Sequence, residues 1–119
     1  MSNESNGSVV QLDKEVVDSL QELLGENFKL LVETFLGDCT VRLDKMVAAL
    51  DPIDADTLRR EAHGIKGSCR NVGANPFGDV CSDIEAQAGN GQLEDIAQKV
   101  TAAQQLFAAV ESEFQSYLA

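Results

Sequence analysis

The sequence predicts an all-α protein: an antiparallel, up-and-down four-helix bundle with a short additional N-terminal helix. Three observations carry that expectation. Apolar residues recur at three- and four-residue spacing in five separate segments, the period of a helix with one face turned inward, and no segment keeps the alternation of a strand. The breaks between segments are short and rich in Gly, Pro and Asn, which favours antiparallel neighbours. An apolar fraction of 44% with 5% aromatic residues and no Trp suits an aliphatic helical core. At 119 residues the chain is long enough for one such core and too short for two.

Residues 1 to 8 (Met-Ser-Asn-Glu-Ser-Asn-Gly-Ser) are expected to be a disordered tail, since nothing apolar there offsets the entropy of ordering them, and residues 9–119 are expected to be the domain. Val16, Leu20, Leu23 and Leu24 suggest a first short helix over Asp13–Leu24, closed by Gly25. Phe28, Leu31, Val32, Phe35, Leu36, Cys39, Leu43, Met46, Val47 and Leu50 hold one face of a long second helix that Asp51-Pro52 breaks. A third helix runs from about Asp54 to Val72 and stops at Gly73. Asn75-Pro76 then reads as an N-cap followed by Pro at the first helical position, ahead of Phe77, Val80, Cys81, Ile84 and Ala88. After Gly89-Asn90-Gly91, the last helix is expected over about Gln92–Leu118, with Ile96, Val100, Ala103, Phe107, Val110, Phe114 and Tyr117 inward.

The charge balance narrows the partners. A net charge of −11 argues against nucleic acid and against an anionic membrane, because both need neutralising Lys and Arg. No apolar run approaches the roughly 20 residues that cross a bilayer, and the polar start does not look like a signal peptide. Cys39, Cys69 and Cys81 are odd in number, widely spaced and each in an apolar stripe, so they read as core thiols in a reduced, cytoplasmic setting. A monomer is expected, because a bundle buries its own apolar faces. The Met-Ser start and the absence of a trailing linker lean towards a free-standing protein rather than an excised domain.

The chemistry gathers on the third helix. His63 is the single histidine of the chain. Lys66 follows it by three residues, Arg70 by seven, and Arg59 precedes it by one turn; at about 100° per residue all four share a face, opposite Leu58, Ala62, Ile65, Cys69 and Val72. Arg59, Arg60, Lys66 and Arg70 are four of the nine Lys and Arg residues, crowded around one imidazole in an acidic protein. Such a cluster suggests a local need for negative charge, which the unmodified protein is not expected to offer at that spot. Gly64 and Gly67 each cost the helix about 1 kcal/mol relative to Ala. Gly67 lies nearly on the His63 face, where a missing side chain leaves room for a bulky group on the ring or for a partner surface. The competing role for Gly67 is close packing on a neighbouring helix, and Gly64 has no functional account.

A neutral imidazole is a nucleophile, and an exposed one with its ordinary pKa of about 6.5 is largely neutral at pH 7. If His63 accepted a phosphoryl group, Lys66 could hold its oxygens with a charge-assisted bond and Arg70 could add to the field. No second group in the segment is placed as an obvious base.

The run His63-Gly-Ile-Lys66-Gly67-Ser68-Cys-Arg-Asn-Val-Gly73-Ala74 resembles the signature of the histidine-containing phosphotransfer (HPt) domain, roughly His-x-Leu-Lys-Gly-Ser-Ser-x-x-hydrophobic-Gly-Ala. Ile84-Glu85 is similar to the family's apolar-Glu pair on the next helix, and the helix order fits along nearly all of residues 12 to 118. Ile65 and Cys69 depart from the usual Leu and Ser at inward positions, which touches packing rather than chemistry. The resemblance implies an intermediate in a multistep phosphorelay, taking a phosphoryl group from an aspartyl-phosphate on a receiver domain of a hybrid sensor kinase and passing it to the Asp of a response regulator's receiver. By position, His63 is the phospho-acceptor, Lys66 the phosphoryl-stabilising residue and Gly67 the clearance position, while Ser68 is assigned a local backbone or capping role. The docking face would comprise Arg59, Gly64, Gly67 and Arg70, with Arg70 a local inference that the family does not prescribe. No cofactor is expected on this chain, since the Mg ion belongs to the receiver. The Lys precedes the Gly and no P-loop precedes them, so autophosphorylation from ATP is not expected.

Two alternatives belong to other classes. A non-catalytic helical module could dock an acidic partner through the Arg59, His63, Lys66, Arg70 face. A zinc site would need the inward cysteines and the outward His63 to converge, and no metal site is expected.

Overall fold

The computed structural model describes residues 10–119, so the tail expected over residues 1–8 lies outside the described residues. Five helices follow in order: α1 (Lys14–Leu24), α2 (Asn27–Ala48), α3 (Ala55–Val72), α4 (Asn75–Gly89) and α5 (Ile96–Leu118). α2 packs on α3, α3 on α4, α4 on α5 and α5 back on α2, closing a four-helix bundle, while α1 rests against α2 and α3. Among the described residues the sole β pairing is an isolated bridge between Leu50 and Ile53, around a cis Asp51–Pro52 bond.

The stripes expected from the sequence meet in one core. Phe28, Val32, Phe35, Cys39, Leu43 and Met46 of α2 face Leu58, Ala62, Ile65, Cys69 and Val72 of α3, with Phe77, Cys81 and Ile84 from α4 and Ile96, Val100, Val110 and Phe114 from α5. Phe114 sits between Phe28 and Phe35, ring centroids 6.4 and 5.9 Å away. Each fully buried side chain of this size contributes roughly 1.5–3 kcal/mol by leaving water.

Four local expectations are corrected. In α1 the fully buried residue is Val17, outside the predicted stripe, of which Leu20 and Leu24 pack partly buried against the core and Leu23 is 79% exposed, because this helix covers one edge of the bundle rather than entering it. α2 ends at Ala48, so Leu50 lies in the connection. Asn75 is the first residue of α4 and not its N-cap; that position falls to Ala74, which is buried and has no side-chain oxygen to accept from the first turn. α5 begins at Ile96, because Gly91 turns with a positive φ of 73° and Gln87 ties the next residues down by donating to Gln92 O and Asp95 Oδ1.

α3 is held at both ends. Asp54 caps it by accepting from Thr57 N at 3.1 Å. Gly73 ends it in the left-handed region at φ 77°, where a Cβ would stand 3.0 Å from Val16 Cβ. Gly73 O accepts from Asp13 N at 2.8 Å, and Gln11 N and Leu12 N donate to the carboxylate of Glu113 on α5, so the chain entering α1 is tied to two helices. The platform that carries His63 is therefore fixed along its length by core packing and at its ends by caps.

Candidate functional site

His63 stands on the outer face of α3 with its side chain 67% exposed. Its Nδ1 is 2.8 Å from Glu85 Oε2 on α4, and Lys66 Nζ is 2.6 Å from the other oxygen, Glu85 Oε1. One carboxylate thus holds the histidine and the lysine together. Lys66, by its hydrogen bond, and then His63 hold the Glu85 carboxyl below the usual carboxylate range, against a desolvation effect that works the other way. An ionised carboxylate can only accept, so Nδ1 carries a proton towards Glu85, and in the neutral imidazole the lone pair is left on Nε2. The arrangement orients a nucleophilic nitrogen, with an ammonium group one turn away.

The remaining cations do not converge on the imidazole. Arg59 Nη2 and Arg60 Nη1 both bind Asp56 on their own helix, at 2.8 and 3.2 Å. Arg70 Nη2 binds Asp79 at the start of α4, at 3.0 Å, and the same side chain covers Gly78. The sequence expectation that nothing supplies local negative charge is corrected: each of the four basic residues has a carboxylate of this chain, two of them contributed by α4. Helical spacing put Arg70 on the His63 face correctly, but seven residues along a helix separate the two by about 10 Å, and Asp79 draws Arg70 away.

The two glycines part company. A Cβ on Gly67 would meet nothing within 4 Å, which rules out close helix packing and leaves open space beside His63. A Cβ on Gly64 would fall 2.5 Å from Cζ of Arg42, a residue of α2 whose guanidinium lies across α3 at that point. Ser68 takes no cap; it lines a groove between α2 and α3 with Leu31, Thr34, Phe35 and Asp38, and makes no side-chain hydrogen bond among the described residues.

Glu85 is the residue of the candidate site that spacing alone missed. It lies 22 residues from His63 on another helix, beyond the reach of any periodicity, and the family's apolar-Glu pair was the one signal that pointed to it. The thiols of Cys39, Cys69 and Cys81 are free and buried, behind the site rather than in it.

The family model for the Hpt domain matches residues 30–113. Among solved structures, the chain is similar to histidine-containing phosphotransfer protein B (HptB) from Pseudomonas aeruginosa PAO1, with 34% identity, a TM-score of 0.88, and 92% of this chain and 96% of that one covered. It is also similar in fold to the histidine-containing phosphotransfer protein ZmHP2 from maize, at 22% identity and a TM-score of 0.80, covering 91% of this chain and 89% of that one. No curated protein matches the chain. The five helices, the exposed histidine braced by a lysine and a glutamate, and a family model that spans most of the residues lead to one assignment: the chain belongs to the Hpt domain family.

Proposed function

We propose that His63 is the phosphoryl acceptor of a histidine phosphotransfer protein in a multistep two-component phosphorelay. The observation that carries this reading is the Glu85 carboxylate on Nδ1, which leaves Nε2 exposed with its lone pair outward. Nε2 attacks the phosphorus of an aspartyl-phosphate on a receiver domain, the P–Nε2 bond forms, and the bond to the aspartate oxygen breaks with its electron pair, returning a carboxylate. The imidazole gains positive character as it is phosphorylated, and Glu85 at Nδ1 offsets it. Lys66 is near enough to turn its ammonium from Glu85 towards the phosphoryl oxygens. Reversal of the same steps delivers the group to a second receiver aspartate.

Donor and acceptor are receiver domains of a hybrid sensor kinase and of a response regulator, and the Mg ion required by the chemistry is theirs. Cytoplasmic location and a monomeric state belong to the same reading; among the described residues no helix is long and apolar enough to cross a membrane. The non-catalytic docking module loses support, because the cations it would offer to an acidic partner are already paired within the chain.

The test is transfer of labelled phosphoryl from a phosphorylated receiver domain to the wild-type chain and to His63→Gln. Label is expected on the wild type alone. Label on the variant would overturn the assignment of His63.

A further inference from the structure

Beside His63, the place of a side chain at position 64 is taken by a side chain from another helix. Arg42 reaches from α2 across the backbone of α3. Its Nη1 donates to Glu61 Oε1 at 2.9 Å and its Nε to Asp38 Oδ2 at 3.1 Å, with Cζ only 2.5 Å from where a Gly64 Cβ would be. Glu61 has a side chain just 11% exposed, so it depends on Arg42: a buried carboxylate without its partner is strongly unfavourable. The guanidinium is accordingly held flat and oriented rather than free to sample solvent. Its Nη2 has no acceptor among the described residues, although the side chain is 34% exposed. One turn on, Gly67 leaves the adjoining surface open.

Two carboxylates already offset the single charge of Arg42, so this group is poorly suited to attract an anion. The N–H pair at Nη2, without an acceptor among the described residues, fits a neutral acceptor. We propose that Arg42 is a docking residue for the receiver domain, donating from Nη2 to a main-chain carbonyl of a loop at the rim of the receiver's phosphorylation site. The absent side chain at position 64 is what lets Arg42 lie there. A receiver that brings its aspartate in line with Nε2 of His63 has to set neighbouring loops down within a residue or two of the imidazole, which is where this edge waits. The HPt signature leaves position 64 open and does not extend to α2, so it prescribes neither residue. The inference rests on the phosphotransfer reading above and adds a determinant of which receivers are served.

Two variants test it. Arg42→Lys keeps the charge and loses the planar fork, whereas Gly64→Ala displaces Arg42 without altering any charge. Initial transfer rates are measured against increasing concentrations of the phosphorylated receiver that serves the wild type fastest. Phosphoramidate, a small phosphodonor that needs no docking surface, provides the second readout. In both variants the half-saturating receiver concentration is expected to rise about tenfold, the lower end for a hydrogen bond from a charged donor, with the maximal rate within about twofold. The ratio of receiver-driven to phosphoramidate-driven labelling should fall by the same factor, at low and high salt alike. Unchanged half-saturation in both variants would overturn the proposal, as would an equal loss with phosphoramidate, which would place Arg42 in the fold or the chemistry. A loss that high salt erases would overturn it in favour of a carboxylate contact. If one variant melts below the assay temperature, the other decides. Failure of the underlying reading looks different: the wild type would take no label from any receiver.

Discussion

Glu85→Ala isolates the contribution of one carboxylate to the reactivity of one nitrogen. Glu85 receives His63 Nδ1 at 2.8 Å and Lys66 Nζ at 2.6 Å. With the carboxylate gone, the imidazole can rotate, and its proton can move to Nε2, the nitrogen that has to attack; Lys66 loses its anchor in the same step. A hydrogen bond to a charged group contributes roughly 1.5–3 kcal/mol, and for a ring as exposed as His63 the lower end applies. About 1.4 kcal/mol corresponds to tenfold in rate, so transfer to Glu85→Ala is expected to slow about tenfold. Glu85→Gln should slow less, since its amide oxygen can still accept from Nδ1–H. A merely structural residue would not move the tautomer, and nitrogen-15 NMR of the ring reads it directly. The wild type should show Nδ1–H and carry phosphoryl on Nε2, and Glu85→Ala should shift towards Nε2–H. A wild type protonated mainly on Nε2, phosphorylation at Nδ1, or full-rate transfer to Glu85→Ala would refute the reasoning.

Three further outcomes follow from the geometry. The pKa of Glu85 is lowered by Lys66 first and His63 second, so its stabilising effect is present above the ordinary Glu value of about 4.3 and is lost as pH falls through the lower folded value. Acid unfolding monitored by circular dichroism should therefore begin at higher pH in the wild type than in Glu85→Gln once the curves are normalised to pH 7; identical profiles would contradict the ion pair. Gly73→Ala forces a side chain into the left-handed region at φ 77° and against Val16, which should cost at least about 1–2 kcal/mol and lower Tm by several degrees; an unchanged Tm would mean α1 yields freely. Burial pushes the Cys39 and Cys81 thiols up to about 12 and Cys69 higher still, so a chromogenic disulfide reagent should find no fast thiol in the native protein and all three after denaturation. A rapid native equivalent would show that the core opens locally.

Phe28 through Met46 on α2 and Leu58 through Val72 on α3 were legible in advance because helical burial repeats with a local period, and every residue needed to see it lies within a few turns. For the same reason the outward placement of His63, Lys66 and Arg70 could be read directly, as could the halt of α3 at Gly73. Where boundaries slipped, the deciding contact was not local to the predicted cap: Ala74 is buried against the bundle and takes the position expected for Asn75, and Gln87 reaches forward across the turn to hold Gln92 and Asp95 out of α5.

A helix's own sequence states the direction in which a residue points, but not what another helix brings to meet it. The face of α3, with its histidine, its lysine and the open space at Gly67, was determined by the sequence alone. Tertiary structure decided everything that depends on the register between helices: Glu85 from α4 closing on His63 and Lys66, Asp79 drawing Arg70 aside, and Arg42 from α2 filling the space over Gly64. Ion pairs and close approaches act over a few ångströms, and residues 22 apart in the chain reach that range only when two helices have packed at one angle and one offset.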